Sequence, residues 1–405
     1  MTDSVRRLGL MLLCLAGFLA AVAALNWIVN PYGAWRSTVI DPGYRFSETT
    51  RNEAGERVTT GYRIRVEQPT NLLVGSSRVV VGMYIERGAR DGFFNASMSG
   101  ASLAEIAAVL RLATANSRLR RVIWGVDFYA FDERFVGFRH PETRVRLEGD
   151  EWQLMVMQIK ETLLSAQALD DSRKVLLRAA RGGRKPGPFA APVPWPEEVI
   201  RTRLVDPGRP GLALADDASR KAQLVNWVGN YSDYRSSESL QHLFRGAVSG
   251  ARAAGIEVVL FVPPLSRCEL EVIDQTGSWG AFQTWKRQLL EAGPYWDFSG
   301  YGKLDGMESL FLDVAHFWPA VGHVMLREFL GQGCGQCGEV ARLVGEAGVW
   351  VEAATIDAYL AQQETMRTAA RSRRDRCAKV VEEMLRAATS TAGTRVSSGP
   401  APDGQ

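Results

Sequence analysis

An uninterrupted apolar run stands near the N-terminus. Residues 8–29 read LGLMLLCLAGFLAAVAALNWIV, with Asn26 as the one strongly polar side chain. About 20 helical residues cross the roughly 30 Å hydrocarbon core of a bilayer, so this run predicts a transmembrane helix. Arg6 and Arg7 precede it and favour an N-terminus on the cytoplasmic side of the membrane. The residues after the helix would then lie on the other side.

A cleaved signal peptide is the alternative interpretation of this run. The segment 21–24 (AVAA) has the small residues that precede a cleavage site. The run is longer than a usual signal core, and the anchor is therefore preferred. Residues 1–7 are then cytoplasmic, 8–29 cross the membrane, and 30–70 form an irregular juxtamembrane lead-in.

Short apolar, β-branched runs then alternate with amphipathic helical patterns. The strand-like runs cover residues 71–74, 121–126 and 256–262, and they are short and mostly apolar, as buried parallel strands are. Helical patterns cover Ser102–Thr114, which opens with a capping box, and Ser237–Ala254. This alternation predicts a parallel sheet between helices, which is a three-layer α/β/α fold.

An interval without this alternation lies in the middle of the chain. Between about residues 132 and 235 we expect an insertion, with a helix over 151–180 and a loop rich in Pro, Gly and Arg over 181–210. Segments inserted at the carboxyl ends of strands commonly cover the ligand site. A lid or substrate-docking subdomain is therefore expected, and a surface insertion without such a role is the alternative for the Pro/Gly-rich part.

The α/β domain is predicted to span residues 71–330. After residue 331 the sequence predicts a helical tail to 405, whose small polar residues from Ser390 onward indicate disorder.

Composition and charge narrow the function classes. The chain has 405 residues, 46% of them hydrophobic, and a net charge of +3. These values exclude a wholly disordered chain and give no reason to expect nucleic acid as a partner. With four histidines in the chain, histidine-dependent catalysis has few candidates.

The cysteines leave three interpretations open. Cys334 and Cys337 form a Cys-x-x-Cys motif, but no second pair completes a zinc site, since Cys268 and Cys377 stand alone. A local disulfide, reduced thiols and a redox pair are the alternatives. No metal and no cofactor is predicted.

The candidate chemistry lies in three separated pieces. Gly75-Ser-Ser77-Arg follows the first predicted strand, and a serine on a tight strand-to-helix turn is exposed at the end of the sheet. Asn-Ala-Ser-Met-Ser-Gly100 precedes a capped helix, where the Gly100 N–H can face an anion. Asp313-Val-Ala-His316 places on one short turn a carboxylate and the imidazole that it can orient. Each piece alone is also a common loop, turn or surface pair.

Taken in order, these pieces resemble the SGNH/GDSL hydrolase superfamily over roughly residues 70–330. The resemblance implies an SGNH or flavodoxin-like fold, with Ser77 as the nucleophile, His316 as the general base and Asp313 as its orienting carboxylate. The backbone N–H groups of Ser77 and Gly100 would be the oxyanion donors. The phrases LLVGSSRVVVGM, NASMSGAS and DVAHFWPAVGHVML also resemble membrane-anchored bacterial SGNH-like proteins.

Two positions depart from the family pattern. Ser76 replaces the usual Asp of Gly-Asp-Ser, as in envelope-located acyl-transfer relatives. Asp127 stands where an Asn side chain donates to the oxyanion, and an ionised carboxylate there would oppose that charge.

Three further residues need an interpretation. Arg78 is a candidate for binding an anionic substrate group, with a solvent-facing helix position as its alternative. His140, at the start of the insertion, is a second substrate-binding candidate. His323, two helical turns after the candidate base, is expected to be a packing or surface residue.

The resemblance implies a membrane-anchored periplasmic serine esterase or O-acyltransferase. It would modify a cell-envelope polysaccharide or cell-wall polymer through an acyl-serine intermediate. The expected partners are the lipid bilayer, a glycan, and a membrane O-acyltransferase or polysaccharide export machinery. Asp127 favours a second hypothesis, a non-catalytic glycan-binding or envelope-assembly protein on a degenerate scaffold. A thiol oxidoreductase using Cys334 and Cys337 is a third.

Overall fold

The computed structural model describes residues 3–37, 39–40, 53–85, 92–181, 193–204, 217–302 and 304–396. The helices in these ranges are α1 (Asp3–Val29), α2 (Glu53–Glu67), α3 (Ser77–Gly82), α4 (Leu103–Thr114), α5 (Val145–Glu148), α6 (Glu151–Thr162), α7 (Ala166–Ala180), α8 (Glu197–Leu204), α9 (Asp217–Tyr231), α10 (Glu238–Ala253), α11 (Arg267–Gln275), α12 (Trp279–Leu289), α13 (Pro319–Phe329), α14 (Glu339–Ala347), α15 (Ile356–Ser372) and α16 (Arg376–Val396). The strands are β1 (Asn71–Val74), β2 (Phe93–Asn95), β3 (Arg121–Gly125), β4 (Glu257–Val262), β5 (Tyr295–Asp297) and β6 (Val349–Val351).

The predicted apolar helix at the N-terminus is confirmed as α1. It has 27 residues and a mean hydropathy of 2.6 over its most apolar stretch, and this length and composition suffice to cross a membrane. Its side chains are exposed from residue 3 to residue 21. Asn26, the polar residue of the run, is buried where α1 meets the folded domain.

The six strands form one sheet in the order β2-β1-β3-β4-β5-β6. Strands β1 to β5 are parallel, and β6 pairs antiparallel with β5. The three strands predicted from apolar runs are confirmed as β1, β3 and β4, with Leu72 opposite Val122 and Val122 opposite Val258. The order of β1 to β5 is 2-1-3-4-5, an order that occurs in open parallel α/β sheets.

The strand order reverses between β1 and β3, and the carboxyl ends of these strands define a crevice. Gly75 follows β1 and Gly125 ends β3. A Cβ at Gly75 would lie 2.5 Å from Val79 Cγ2, and one at Gly125 would overlap the same methyl group. Because neither residue has a side chain, Val79 packs against both strand ends, and α3 begins at the crevice.

The insertion differs from its prediction. The single helix expected over 151–180 is two helices, α6 and α7, and Ser165 caps α7 by accepting a hydrogen bond from the Ala168 N–H at 3.0 Å. Helix α7 packs against α1, and the Asn26 amide donates to the Leu163 carbonyl at the end of α6. The role of this part as a lid stays a prediction. Helix α9, later in the insertion, packs on α11 instead. Most of the Pro/Gly-rich loop lies outside the described residues.

The lead-in is not wholly irregular, because α2 occupies residues 53–67. Its buried face carries charged and hydroxyl side chains, and so no apolar stripe marks the helix in the sequence. Arg57 of α2 forms a fully buried ion pair with Glu105 of α4, with 2.7 Å between Nε and Oε1. The capping box that predicted α4 is confirmed, with Ser102 and Glu105 bonded reciprocally.

The segment after residue 331 is helical, as predicted, but it is also part of the sheet and core. Strand β6 extends the sheet, and α14 and α16 pack on α13 and α11. A disulfide joins Cys268 of α11 to Cys377 of α16, so the expectation that these two cysteines stand alone is wrong. Helix α16 continues to Val396, through the first residues of the stretch predicted to be disordered, and the rest of that stretch lies outside the described residues.

Candidate functional site

Ser77 is the first residue of α3, directly after the β1 strand and its Gly75 turn. Ser76 is the N-cap, and its hydroxyl accepts a hydrogen bond from the Arg78 N–H at 3.3 Å. Ser77 is half-buried, while Ser76 and Arg78 are buried. The local sequence therefore places Ser77, rather than its two neighbours, at the accessible edge of the crevice.

Asp313 and His316 lie on one tight turn, as predicted. An antiparallel bridge between Phe311 and Phe317 closes the turn, and the Leu312 N–H donates to the His316 carbonyl at 2.7 Å. The Asp313 carboxylate lies 2.8 Å from His316 Nδ1, which fits an Nδ1–H donor.

The turn also fixes the charge of Asp313. Burial raises the pKa of this carboxyl, but the His316 ring and the backbone N–H groups of Ala315 and His316 outweigh that effect and hold the pKa below its usual value. A carboxylate that stays ionised can orient the imidazole and stabilise its protonated form.

The second ring nitrogen of His316, Nε2, is buried and unpaired. It has no hydrogen-bond partner among the residues that the structure describes, Ser77 included. A histidine whose Nδ1–H is held by a carboxylate presents Nε2 as a base. Catalytic hydrogen bonds in unliganded sites are often long and shorten when substrate binds.

Several contacts bring the serine turn and the histidine turn together. Arg78 Nε donates to the Ala315 carbonyl at 3.2 Å, one residue before the histidine. At the other end of α3, a Cβ on Gly82 would overlap the Phe317 ring, so this helix packs directly on the residue after His316. The structure thus places the first and third sequence pieces side by side.

The second piece adjoins the first. The Met98 N–H donates to the Gly75 carbonyl at 3.1 Å, and the Asn95 amide donates to the Val79 and Met83 carbonyls at the end of α3. Gly100 has φ +60°, in the left-handed region that favours glycine. The fold thus brings the Asn95–Met98 part of the second piece against the Gly75 turn and α3.

Asp127 follows β3 at the same edge, and it is bound to Arg78. The Arg78 guanidinium is buried and forms ion pairs with Asp127 and with Glu269 of α11. Burial lowers the pKa of Arg78, but the two carboxylates raise it well above its usual value. The expectation that Arg78 faces solvent or a substrate anion is therefore wrong, since its donors are engaged inside the protein.

This arrangement also includes residues that the sequence analysis missed. The Tyr231 hydroxyl donates to Glu269 at 2.9 Å, and the Trp227 ring lies 4.8 Å from the Arg78 guanidinium carbon. Gln223 accepts from the Val314 N–H on the histidine turn at 3.2 Å. Residues 223, 227 and 231 recur at helical spacing on α9, and this periodicity was the available signal.

The other two histidines considered have structural contacts. His140 lies 3.0 Å from Glu142 through Nδ1, and its backbone N–H donates to Glu105. His323 is buried, stacks on Trp195 at 4.2 Å, and accepts from the Trp195 N–H through Nδ1. His323 is thus a packing residue. Its predicted helical relation to His316 is wrong, because α13 begins at Pro319.

Cys334 and Cys337 form a disulfide, one of the three alternatives left open by their spacing. Within the described ranges no group of three or more His, Cys, Asp or Glu side chains could hold a metal ion. Comparison of the chain with models of protein families, with curated proteins and with solved structures finds no match in any of the three.

Proposed function

We propose that this chain is a membrane-anchored SGNH-like serine esterase or O-acyltransferase on a three-layer α/β/α scaffold. The observation that carries the proposal is the Asp313–His316 pair, whose free Nε2 lies on a turn bonded to the turn of Ser77. This arrangement occupies the strand-order reversal, which is where open α/β sheets bind ligands.

In the proposed reaction Ser77 Oγ attacks the acyl carbonyl carbon while its proton passes to His316 Nε2. The tetrahedral intermediate expels the alcohol, which takes the proton from His316 and leaves the acyl group on Ser77. Water or a glycan hydroxyl then attacks the acyl-serine, with His316 again accepting and returning the proton. Asp313 stabilises the imidazolium in both steps.

The backbone N–H groups of Ser77 and Gly100 are the proposed oxyanion donors. Asp127 supplies no amide donor, and its ion pair with Arg78, which Glu269 shares, offsets part of the carboxylate charge close to the site. Loss of one oxyanion donor typically costs 10²–10³ in kcat. We therefore expect slow turnover with simple esters.

The location we propose is the cytoplasmic membrane, with the N-terminus inside and the α/β domain outside. Arg6 and Arg7 support this orientation. Two disulfides fit an oxidising compartment. There the acceptor would be a cell-envelope polysaccharide or cell-wall polymer, and the partner would be a membrane O-acyltransferase or the polysaccharide export machinery.

The test is covalent labelling of the full-length chain in detergent with a fluorophosphonate probe, followed by assay of an acyl-nitrophenyl ester. We expect labelling that disappears in Ser77→Ala and in His316→Ala. Ser76→Ala is the matched control: it loses an N-cap worth about 1 kcal/mol but keeps the nucleophile, so it should still be labelled. A folded wild type that takes no label contradicts the proposal.

A non-catalytic glycan-binding or envelope-assembly protein is the second candidate. It is favoured by the carboxylate of Asp127 in the place of an amide donor. This candidate predicts a wild type that is not labelled, with glycan binding that Ser77→Ala leaves unchanged.

A further inference from the structure

Helix α6 carries apolar side chains on its exposed face. Trp152, Met155 and Val156 are 68%, 44% and 41% exposed. Residues three and four positions apart lie on one face of a helix, so these three form a continuous patch, called here the α6 stripe. The solvent face of a helix in a soluble domain is normally polar.

The helices around this stripe are bonded to the base of α1. The Asn26 amide donates to the Leu163 carbonyl at 2.8 Å, and Asn26 accepts from Ser172 of α7 at 2.7 Å. Trp35 Nε1 donates to the Thr162 hydroxyl at 2.8 Å. The α6–α7 pair is therefore fixed to the end of the apolar helix.

The pattern of exposure on α1 shows where the bilayer would end. Side chains 3–21 are exposed throughout, and burial against the protein begins at Val22. The exposed apolar part of α1, from Leu8 to Ala21, rises about 20 Å, which is about two thirds of the roughly 30 Å hydrocarbon core. With Arg6 and Arg7 on the cytoplasmic side, the folded domain therefore meets α1 in the outer third of the bilayer.

The α6 stripe lies close to the point where α1 meets the folded domain. Gln158 donates to the Ala34 carbonyl beside the base of α1, at 2.5 Å. Trp152 precedes Gln158 by six helical residues, about 9 Å along α6. Interfacial helices bury their apolar face about 5–10 Å into the boundary between headgroups and acyl chains.

A cleft at the same place is mostly apolar. It has a volume of about 500 Å³, and its lining includes Trp27, Trp35, Val39 and Val66. Trp27 and Val39 are 45% and 65% exposed. Tryptophan is enriched at the membrane interface, and an apolar cleft at the end of a spanning helix suits the glycerol and upper acyl region of a phospholipid.

We propose that the α6 stripe and this cleft form a second membrane-contact surface, which docks on the phospholipid bilayer around α1. The proposal rests on the proposed placement of α1 in the membrane. The contact is apolar, so it forms on neutral lipid as well as on anionic lipid. Its effect is to hold the domain against the bilayer at two points instead of one.

The experiment uses an environment-sensitive fluorophore on single thiols of the full-length chain. Cys14 is the free cysteine among the described residues and reports on α1. Cys14→Ser combined with Met155→Cys reports on the stripe. Cys14→Ser combined with Thr284→Cys, on the exposed side of α12, is the matched control. Each protein is labelled in detergent and reconstituted into neutral-lipid nanodiscs that carry nitroxide-labelled phospholipid.

We expect the nitroxide to quench the probes at positions 14 and 155 but not the probe at 284. Adding Trp152→Glu and Val156→Glu to the 155 probe should remove at least half of its quenching. Quenching at 14 without quenching at 155 overturns the second contact and leaves the anchor standing. Absence of quenching at 14 overturns both, and quenching at 155 that requires anionic lipid contradicts an apolar contact.

Discussion

Arg78 shows how one side chain connects the parts of the candidate site. Its guanidinium pairs with Asp127 after β3 and Glu269 on α11, and donates to the Ala315 carbonyl on the histidine turn. Burial raises the pKa of Glu269, and without Arg78 the two carboxylates would be buried with no cation. Arg78 is thus a positioning residue for the turn that carries His316.

Arg78→Met should lower the free energy of unfolding by about 3–5 kcal/mol, because it leaves two buried carboxylates without their partner. Adding Asp127→Asn and Glu269→Gln removes that charge and should recover much of the loss. Arg121→Met is the control, since the Arg121–Glu257 pair is partly exposed and is worth less than about 1 kcal/mol. Urea unfolding measures the free energy of unfolding of all three variants. If Arg78→Met lost no more of it than Arg121→Met, the buried ion pairs of Arg78 would not have the importance assigned to them.

His323 predicts a pH dependence of stability. Burial lowers its pKa from 6.5 to about 3. Below pH 6.5 the unfolded chain binds a proton at this residue and the folded chain does not, so stability is full above pH 6.5 and falls toward pH 3. The slope contributed is about 1.4 kcal/mol per pH unit.

His323→Gln should remove this contribution. Urea unfolding at pH 6 and pH 4 should show a wild-type decrease steeper than that of the variant by up to about 1.4 kcal/mol per pH unit. The matched control is His242→Gln, which replaces an exposed histidine. Equal slopes in wild type and His323→Gln would show that His323 is not the titrating group.

Between elements, the close crossing of α3 and α13 sets the position of the histidine turn. A Cβ on Gly322 of α13 would overlap the carbonyl oxygen of Gly82, where α3 ends. Ser77 begins α3 and His316 precedes α13, so this crossing controls the separation of the proposed nucleophile and base.

Gly322→Ala should force these helices apart. We expect the free energy of unfolding to fall by about 1–3 kcal/mol. Fluorophosphonate labelling should fall further than the loss of folded protein explains. Gly246→Ala, in the open middle of α10, has no atom within 4 Å of the new methyl group and should stabilise the chain by about 0.5–1 kcal/mol. Normal labelling of Gly322→Ala would contradict the role of the crossing.

Elements with a regular apolar pattern were predictable from the sequence, and the others depended on tertiary contacts. Strands β1, β3 and β4 and the capped helix α4 follow directly from their sequences. Helix α2 was missed because charged and hydroxyl side chains, Arg57 among them, occupy much of its buried face. Strand β6 was missed because three residues, two of them exposed, give no period.

The same distinction holds inside the candidate site. The local spacing of Asp313 and His316 was sufficient to predict their hydrogen bond. The partners of Arg78 were not predictable, because Asp127 and Glu269 are 49 and 191 residues away along the chain. Ion pairs between segments that are distant along the chain leave no local sequence pattern.

At the scale of the whole molecule, the number of free thiols indicates whether the domain lies in an oxidising or a reducing compartment. In the proposed location, the denatured, unreduced chain should react with maleimide at Cys14 alone. Reduction before labelling should raise the count to five, the number of cysteines in the sequence. Mass spectrometry of chain isolated from membranes with free thiols blocked gives both counts. Five reactive thiols without reduction would place the domain in a reducing compartment.

The buried contact at Asn26 has a consequence for how the protein would reach the substrate proposed for it. A domain on a flexible linker can take many orientations and distances from the membrane. Here α1 is hydrogen-bonded to its domain at Leu163 and Ser172, which holds the crevice at one distance from the membrane surface. With α1 in the bilayer, the search is lateral diffusion in a plane parallel to the membrane. A long polymer would then be modified at whichever segment crosses that plane, so the spacing of modified residues would reflect the geometry of its export.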